Sequence, residues 1–138
     1  MTDPETSQPD PAIAFVDTSA ILALVDRRDP THQQALAAYN ELADSGYRLF
    51  TTNYVIAETV LLLQLAFGPD VARQWLQDHR LPVYHADQQD ERRATARIAS
   101  ARPGSRLTMT DAISSVVMDR LGVSDAFAVD PDVLSEDD

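Results

Sequence analysis

The sequence predicts an α/β protein, a three-layer α/β/α sandwich around a mostly parallel sheet. Short strand-like runs recur at Ile13–Val16, Tyr47–Phe50, Leu81–Tyr84 and Ala126–Val129. Each is the length of a strand buried in a sheet covered on both faces. Between them lie longer stretches whose apolar residues fall at helical spacing. Strands that alternate with helices imply crossover connections, and right-handed crossovers bring the carboxyl ends of the first and last strands to one edge.

In order, Met1 to Pro11 is polar and broken by proline, without the basic-then-apolar pattern of a signal peptide. It is expected to be a disordered lead-in (1–11) to a single domain over 12–133, with an acidic tail at 134–138. The first strand ends abruptly on Asp17-Thr18-Ser19, and Ala20–Leu24 begins a helix. Asp29-Pro30 opens a second helix over about 31–44, with Leu36, Tyr39, Leu42 and Ala43 on one face and Ser45-Gly46 as its stop. Thr51-Thr52-Asn53 offers caps for a third helix reaching about Ala66, which Gly68-Pro69 ends. A fourth, Asp70 to His79, is anchored by Trp75. Pro82 belongs near the start of the third strand or on a sheet edge.

A charged helix follows over about 87–102, with a thin apolar stripe of Ala94, Ile98 and Ala101, and Pro103-Gly104 breaks it. The last helix starts near Thr110-Asp111. It buries Ile113, Val116, Val117 and Leu121, and Gly122 is placed to terminate it. No internal repeat or inter-domain linker is present.

Composition narrows the function. The 138 residues carry 44% hydrophobic and 24% charged side chains, ordinary for one globular domain. No apolar run approaches the roughly 20 residues that span a bilayer, so no membrane association is expected. The absence of cysteine removes disulfides, thiolate catalysis and Cys-based zinc sites. A cytoplasmic protein is the simplest expectation. The charge is unusual: 22 acidic residues against 11 basic ones, all arginine, for a formal −11. Strong acidity normally opposes nucleic-acid binding. It also fits a halophilic source, because molar salt shortens the Debye length to about 3 Å and screens the self-repulsion.

Four carboxylates are awkward as scaffold. Asp17 and Asp130 end the first and last strands. Asp111 opens the last helix. Glu58 lies in Tyr54–Leu63, a helix apolar nearly all round and expected to be buried, with no basic residue within one turn. Each has an ordinary alternative: a helix cap for Asp17 and Asp111, a turn for Asp130, a distant arginine for Glu58. Four converging carboxylates would repel one another, and a hard divalent cation removes the conflict. Oxygen-only ligation suits Mg²⁺ or Mn²⁺, and such a site performs metal-assisted hydrolysis. His32, His79 and His85 are placed for surface or structural roles.

Taken together, Val16-Asp17-Thr18-Ser19, Ala57-Glu58-Thr59, Thr110-Asp111-Ala112-Ile113 and Val129-Asp130-Pro131-Asp132 resemble a PIN domain. More narrowly, they resemble the VapC-type toxins of prokaryotic toxin–antitoxin pairs. The resemblance runs from Ile13 to about Val133 and includes Asp29–His32 and Asp111–Met118. It implies a Mg²⁺- or Mn²⁺-dependent endoribonuclease whose acidic quartet is Asp17, Glu58, Asp111 and Asp130. Asp17 and Asp111 would be the primary metal ligands. Glu58 would hold a second ion or orient water, and Asp130 would support the site. Thr18 or Ser19 would position water or phosphate, or cap the first helix. The resemblance also implies a homodimer and a cognate antitoxin whose tail covers the cleft. Val129 departs from the small residue or threonine of many members, so Asp132 or Asp119 can share the fourth acidic role.

The segment 87–106 holds Arg92, Arg93, Arg97, Arg102 and Arg106 against three acids, a net +2 that can guide an RNA backbone. A solvated helix face is the plain alternative, and Arg27-Arg28 is a second basic candidate. Other acidic-pocket proteins fit less well. A receiver domain needs a lysine. A haloacid-dehalogenase-like phosphatase wants Asp where Ser19 stands. A metal-dependent adhesion module wants Ser where Ile21 stands. The non-enzymatic alternative is a PIN-like or metal-dependent module that binds RNA or a protein partner.

Overall fold

The computed structural model describes residues 11–129. Strand β1 (Ile13–Val16) is followed by α1 (Thr18–Val25), α2 (His32–Asp44), β2 (Arg48–Thr52), α3 (Asn53–Phe67) and α4 (Pro69–Asp78). Then come β3 (Val83–Tyr84), α5 (Gln88–Ala99), α6 (Met109–Leu121) and β4 (Asp125–Phe127). The four strands are all parallel, in the order β3-β2-β1-β4. Pro82 sits just outside the short edge strand, where its missing N–H breaks no ladder bond.

Two apolar clusters flank the sheet. One joins Phe15 and Val16 of β1 to Ile21, Ala35, Val55 and Phe127. The other packs Ala94 of α5 against Ala112, Ile113, Val116 and Val117 of α6. Phe50 of β2 touches both, so the sheet is the middle of three layers, as the alternation of elements predicts. Among the described residues no helix is long and apolar enough to cross a membrane.

Four local expectations change. The buried stripe of α2 is Ala35, Ala38 and Leu42, while Leu36 and Tyr39 are exposed. Small alanines let α2 lie close to α1, and the larger residues turn outward. Helix α3 buries only Val55, Thr59 and Leu63. Leu61 and Leu65 are exposed and Glu58 is half-buried, because packing reaches one side of the helix and leaves the rest open. Helix α6 begins at Met109, a residue earlier than expected, since Thr108 rather than Asp111 is its N-cap; Leu121 is exposed. Strand β4 stops at Phe127 instead of running to Val129. Its partner β1 turns into α1 at Asp17, and the freed Val129 N–H bonds the Ser19 hydroxyl at 3.0 Å. The lead-in before Pro11, Asp130, Asp132 and the acidic tail lie outside the described residues.

Candidate active site

In the order β3-β2-β1-β4 the chain winds outward in one direction from β1 to β3 and then crosses to the other side of β1 to place β4. The reversal lies between β1 and β4, and ligands of open parallel sheets bind beyond the carboxyl ends of strands at such a point. Asp17 is the first residue past β1 there. Its N–H donates to Phe127 O of β4 at 3.0 Å, which pins its backbone into the crevice. The neighbouring Val16 carbonyl accepts from the buried Thr51 hydroxyl at 2.7 Å.

Asp17 is the N-cap of α1 and also faces the cleft. Its Oδ2 accepts from the Ser19 N–H at 3.2 Å and the Ser19 hydroxyl at 2.7 Å. The same Ser19 oxygen accepts from Val129, so one serine ties the carboxylate to the segment after β4. Asp111, at the start of α6, is held by a capping box. Its N–H donates to Thr108 Oγ1 at 3.1 Å, and its Oδ2 accepts from the Thr108 N–H at 3.3 Å. Asp17 and Asp111 line one open cleft of about 570 Å³ together with Ser114, Ser115 and Asp119.

The remaining candidates divide. Glu58, on α3, does not line this cleft. Among the described residues no three Asp, Glu or His side chains lie close enough together to hold a metal ion. Thr18 is buried and its hydroxyl has no hydrogen-bond partner among the described residues; the same holds for Thr59, beside Glu58. Of the five α5-region arginines, Arg92, Arg93, Arg102 and Arg106 are exposed, and Arg97 bridges to Ser115 and Asp119. His32 bonds the Ala23 carbonyl, His79 stacks on Trp75 and His85 is exposed, which agrees with structural or surface roles.

A metal can be tested against the donors present. Asp17 and Asp111 use Oδ2 for their caps, so each Oδ1 is without a hydrogen-bond partner among the described residues. Two carboxylates with spare oxygens on a wet cleft match the manner in which Mg²⁺ is held, by one or two carboxylates with water and phosphate completing its shell. The donor set fits a hard divalent cation.

A second acidic group, invisible in the local sequence, lies between α5 and α6. Asp90 is fully buried and bonds Arg120 at 2.9 Å, while Asp87 bonds the same Nη1 at 3.1 Å. The Asp90 N–H, and then Arg120, hold the Asp87 carboxyl below its usual value, and the two carboxylates push the Arg120 guanidinium upward. Nearby, the Tyr54 hydroxyl donates to Glu91, which raises the Tyr54 pKa. Arg120 offsets one of the two negative charges of Asp87 and Asp90, so the arginines of α5 are less cancelled than its composition implies.

Comparison with known proteins bears on the fold and the family. A search of curated proteins finds no match. Among solved structures, Mycobacterium tuberculosis VapC20, a toxin that cleaves the sarcin–ricin loop, is 27% identical with a TM-score of 0.71. The match covers 91% of this chain and 95% of that one. The PIN domain profile matches residues 14–136, and the chain therefore belongs to the PIN domain family.

Proposed function

We propose that this PIN domain is a metal-dependent endoribonuclease and the toxin of a toxin–antitoxin pair. The observation that carries the reading is the meeting of Asp17 and Asp111 on one open cleft at the switch point of the sheet. The likeness to an RNA-cleaving VapC toxin over nearly the whole chain supports it.

Asp17 and Asp111 would hold Mg²⁺ or Mn²⁺, with Glu58 and Asp130 completing the acidic quartet by their places in the family pattern. When bound, the cation lowers the pKa of water and stabilises charge on the phosphoryl group. The chain's own residues supply the frame. Ser19 orients Asp17, Thr108 orients Asp111, and the exposed Ser115 offers a hydroxyl on the cleft. The partners are RNA, a cognate antitoxin and a second copy of the chain. Exposed Leu61, Leu65, Phe67 and Val71 along α3 and α4 support the homodimer, since large apolar groups in water mark interfaces. The protein works in the cytoplasm of a halophile.

The test incubates purified protein with single-stranded RNA and with hairpins, one of them the sarcin–ricin loop, in Mg²⁺, Mn²⁺ or EDTA. Asp17→Asn and Asp111→Asn run alongside, and one arm contains molar KCl. Cleavage that needs metal and disappears in both variants is the expected result. Equal cleavage by wild type and variants marks a contaminant and overturns the reading.

A further inference from the structure

Asp111, Ser115 and Asp119 follow at intervals of four along α6, so they form one stripe with about 6 Å between successive residues. All three line the cleft with Asp17. From α5, Arg97 reaches across to that stripe. Its Nη1 donates to the Ser115 hydroxyl and its Nη2 to Asp119 Oδ2, the latter at 2.7 Å. Among the five arginines between 92 and 106, it alone has a side-chain hydrogen bond to a residue that lines the cleft.

This placement answers a charge problem. Three carboxylates on the cleft, in a chain of net −11, repel an RNA strand. A cation at the scissile bond relieves the repulsion at one phosphate only. Arg97 bonds α6 one to two turns past Asp111, about 6 to 12 Å along the helix, a spacing that suits a phosphate beside the reacting one. We infer that Arg97 is a phosphate clamp for the nucleotide next to the cleavage point, and that Asp119 is its resident counter-ion, displaced when the strand enters. The inference rests on the ribonuclease reading above.

The ion pair suits exchange. Arg97 and Asp119 side chains are 39% and 67% exposed, so water screens their attraction. A guanidinium has five donors in a planar fork that fits phosphate as well as carboxylate. A purely structural bridge between α5 and α6 uses the same contacts but behaves differently when either partner is removed.

The experiment measures anisotropy of a labelled single-stranded RNA with the full chain in EDTA, over a KCl series. The proteins are wild type, Arg97→Gln, Arg97→Lys, Asp119→Asn and the Arg97→Gln/Asp119→Asn double variant. Arg97→Gln is expected to weaken binding roughly tenfold. Its slope of log affinity against log salt should become shallower by about 0.7. Arg97→Lys recovers part of the affinity. Asp119→Asn strengthens binding, and the gain vanishes in the double variant. A structural bridge would instead make both single variants bind more weakly, with parallel losses of thermal midpoint, and that result overturns the clamp. So does wild-type affinity and slope in Arg97→Gln. If wild type neither binds nor cleaves RNA, the ribonuclease reading itself fails; if it cleaves and Arg97→Gln is unaffected, only the clamp falls.

Discussion

Asp17 divides its two oxygens. Oδ2 caps α1 through Ser19, and Oδ1 is the atom proposed above to hold the cation. Asparagine caps a helix about as well as aspartate. Asp17→Asn is therefore expected to melt within a degree or two of wild type while Mn²⁺ affinity and cleavage fall by more than about 100-fold. Calorimetric titration beside a thermal melt checks this, and melting without loss of Mn²⁺ affinity would leave only the cap. Thr108 makes the reciprocal case, because it lies outside the cleft and orients Asp111. Thr108→Ala should cost about 1 kcal/mol of stability and lower cleavage roughly tenfold, readable from denaturant titration and initial rates. Asp17 was legible in the sequence because the apolar run before it and the helix after it leave little choice of position. Glu58 was less so. The apolar residues around it implied burial, whereas Leu61 is exposed and Glu58 itself is half-buried.

Helices α5 and α6 are locked by charge as well as by the Ala94, Ile113 and Val117 contacts. Asp90 is fully buried, so removing Arg120 strands a carboxylate away from water. Arg120→Met is expected to lower the thermal midpoint by several degrees, and by more than Arg97→Ala, whose exposed partner can be solvated. The clamp also sets an acid limit. Asp87 is depressed by the Asp90 N–H and Arg120, and Asp29 by the Thr31 hydroxyl and N–H. A carboxyl with a depressed folded-state pKa stabilises the fold fully above its ordinary value near ~4. That contribution is lost as pH falls through the lowered folded value. Stability should therefore decline on acidification below ~4, and the decline should be shallower in Asp87→Asn, measured by urea titration across that range. None of this clamp was legible locally. Arg120 and Asp90 are separated by thirty positions, and only the packing of α5 on α6 makes them partners.

Across the whole molecule, the −11 charge and the exposed apolar face of α3 and α4 make opposite demands on the solvent. Molar KCl screens the first and strengthens burial of the second. The thermal midpoint is expected to rise between dilute buffer and molar KCl; a flat response would remove the halophilic reading. Leu65 is 74% exposed, and Leu65→Glu should convert the proposed dimer to a monomer in light scattering without unfolding it. The alternation of strands and helices was legible because every crossover must bury one face. The turned stripe of α2 was not, since Leu36 and Ala35 lie on adjacent faces and only packing against α1 selects the alanine. Topology also sets a timetable for synthesis. Strand β1 lies between β2 and β4, and Phe15 pairs with Ala126 at the far end of the chain. A growing polypeptide, folding from its amino end, can condense β1, β2 and β3 with their helices well before Asp111 and β4 emerge. The crevice has one wall until then. In a toxin built on this order the cleft is the last part of the fold to be completed during translation.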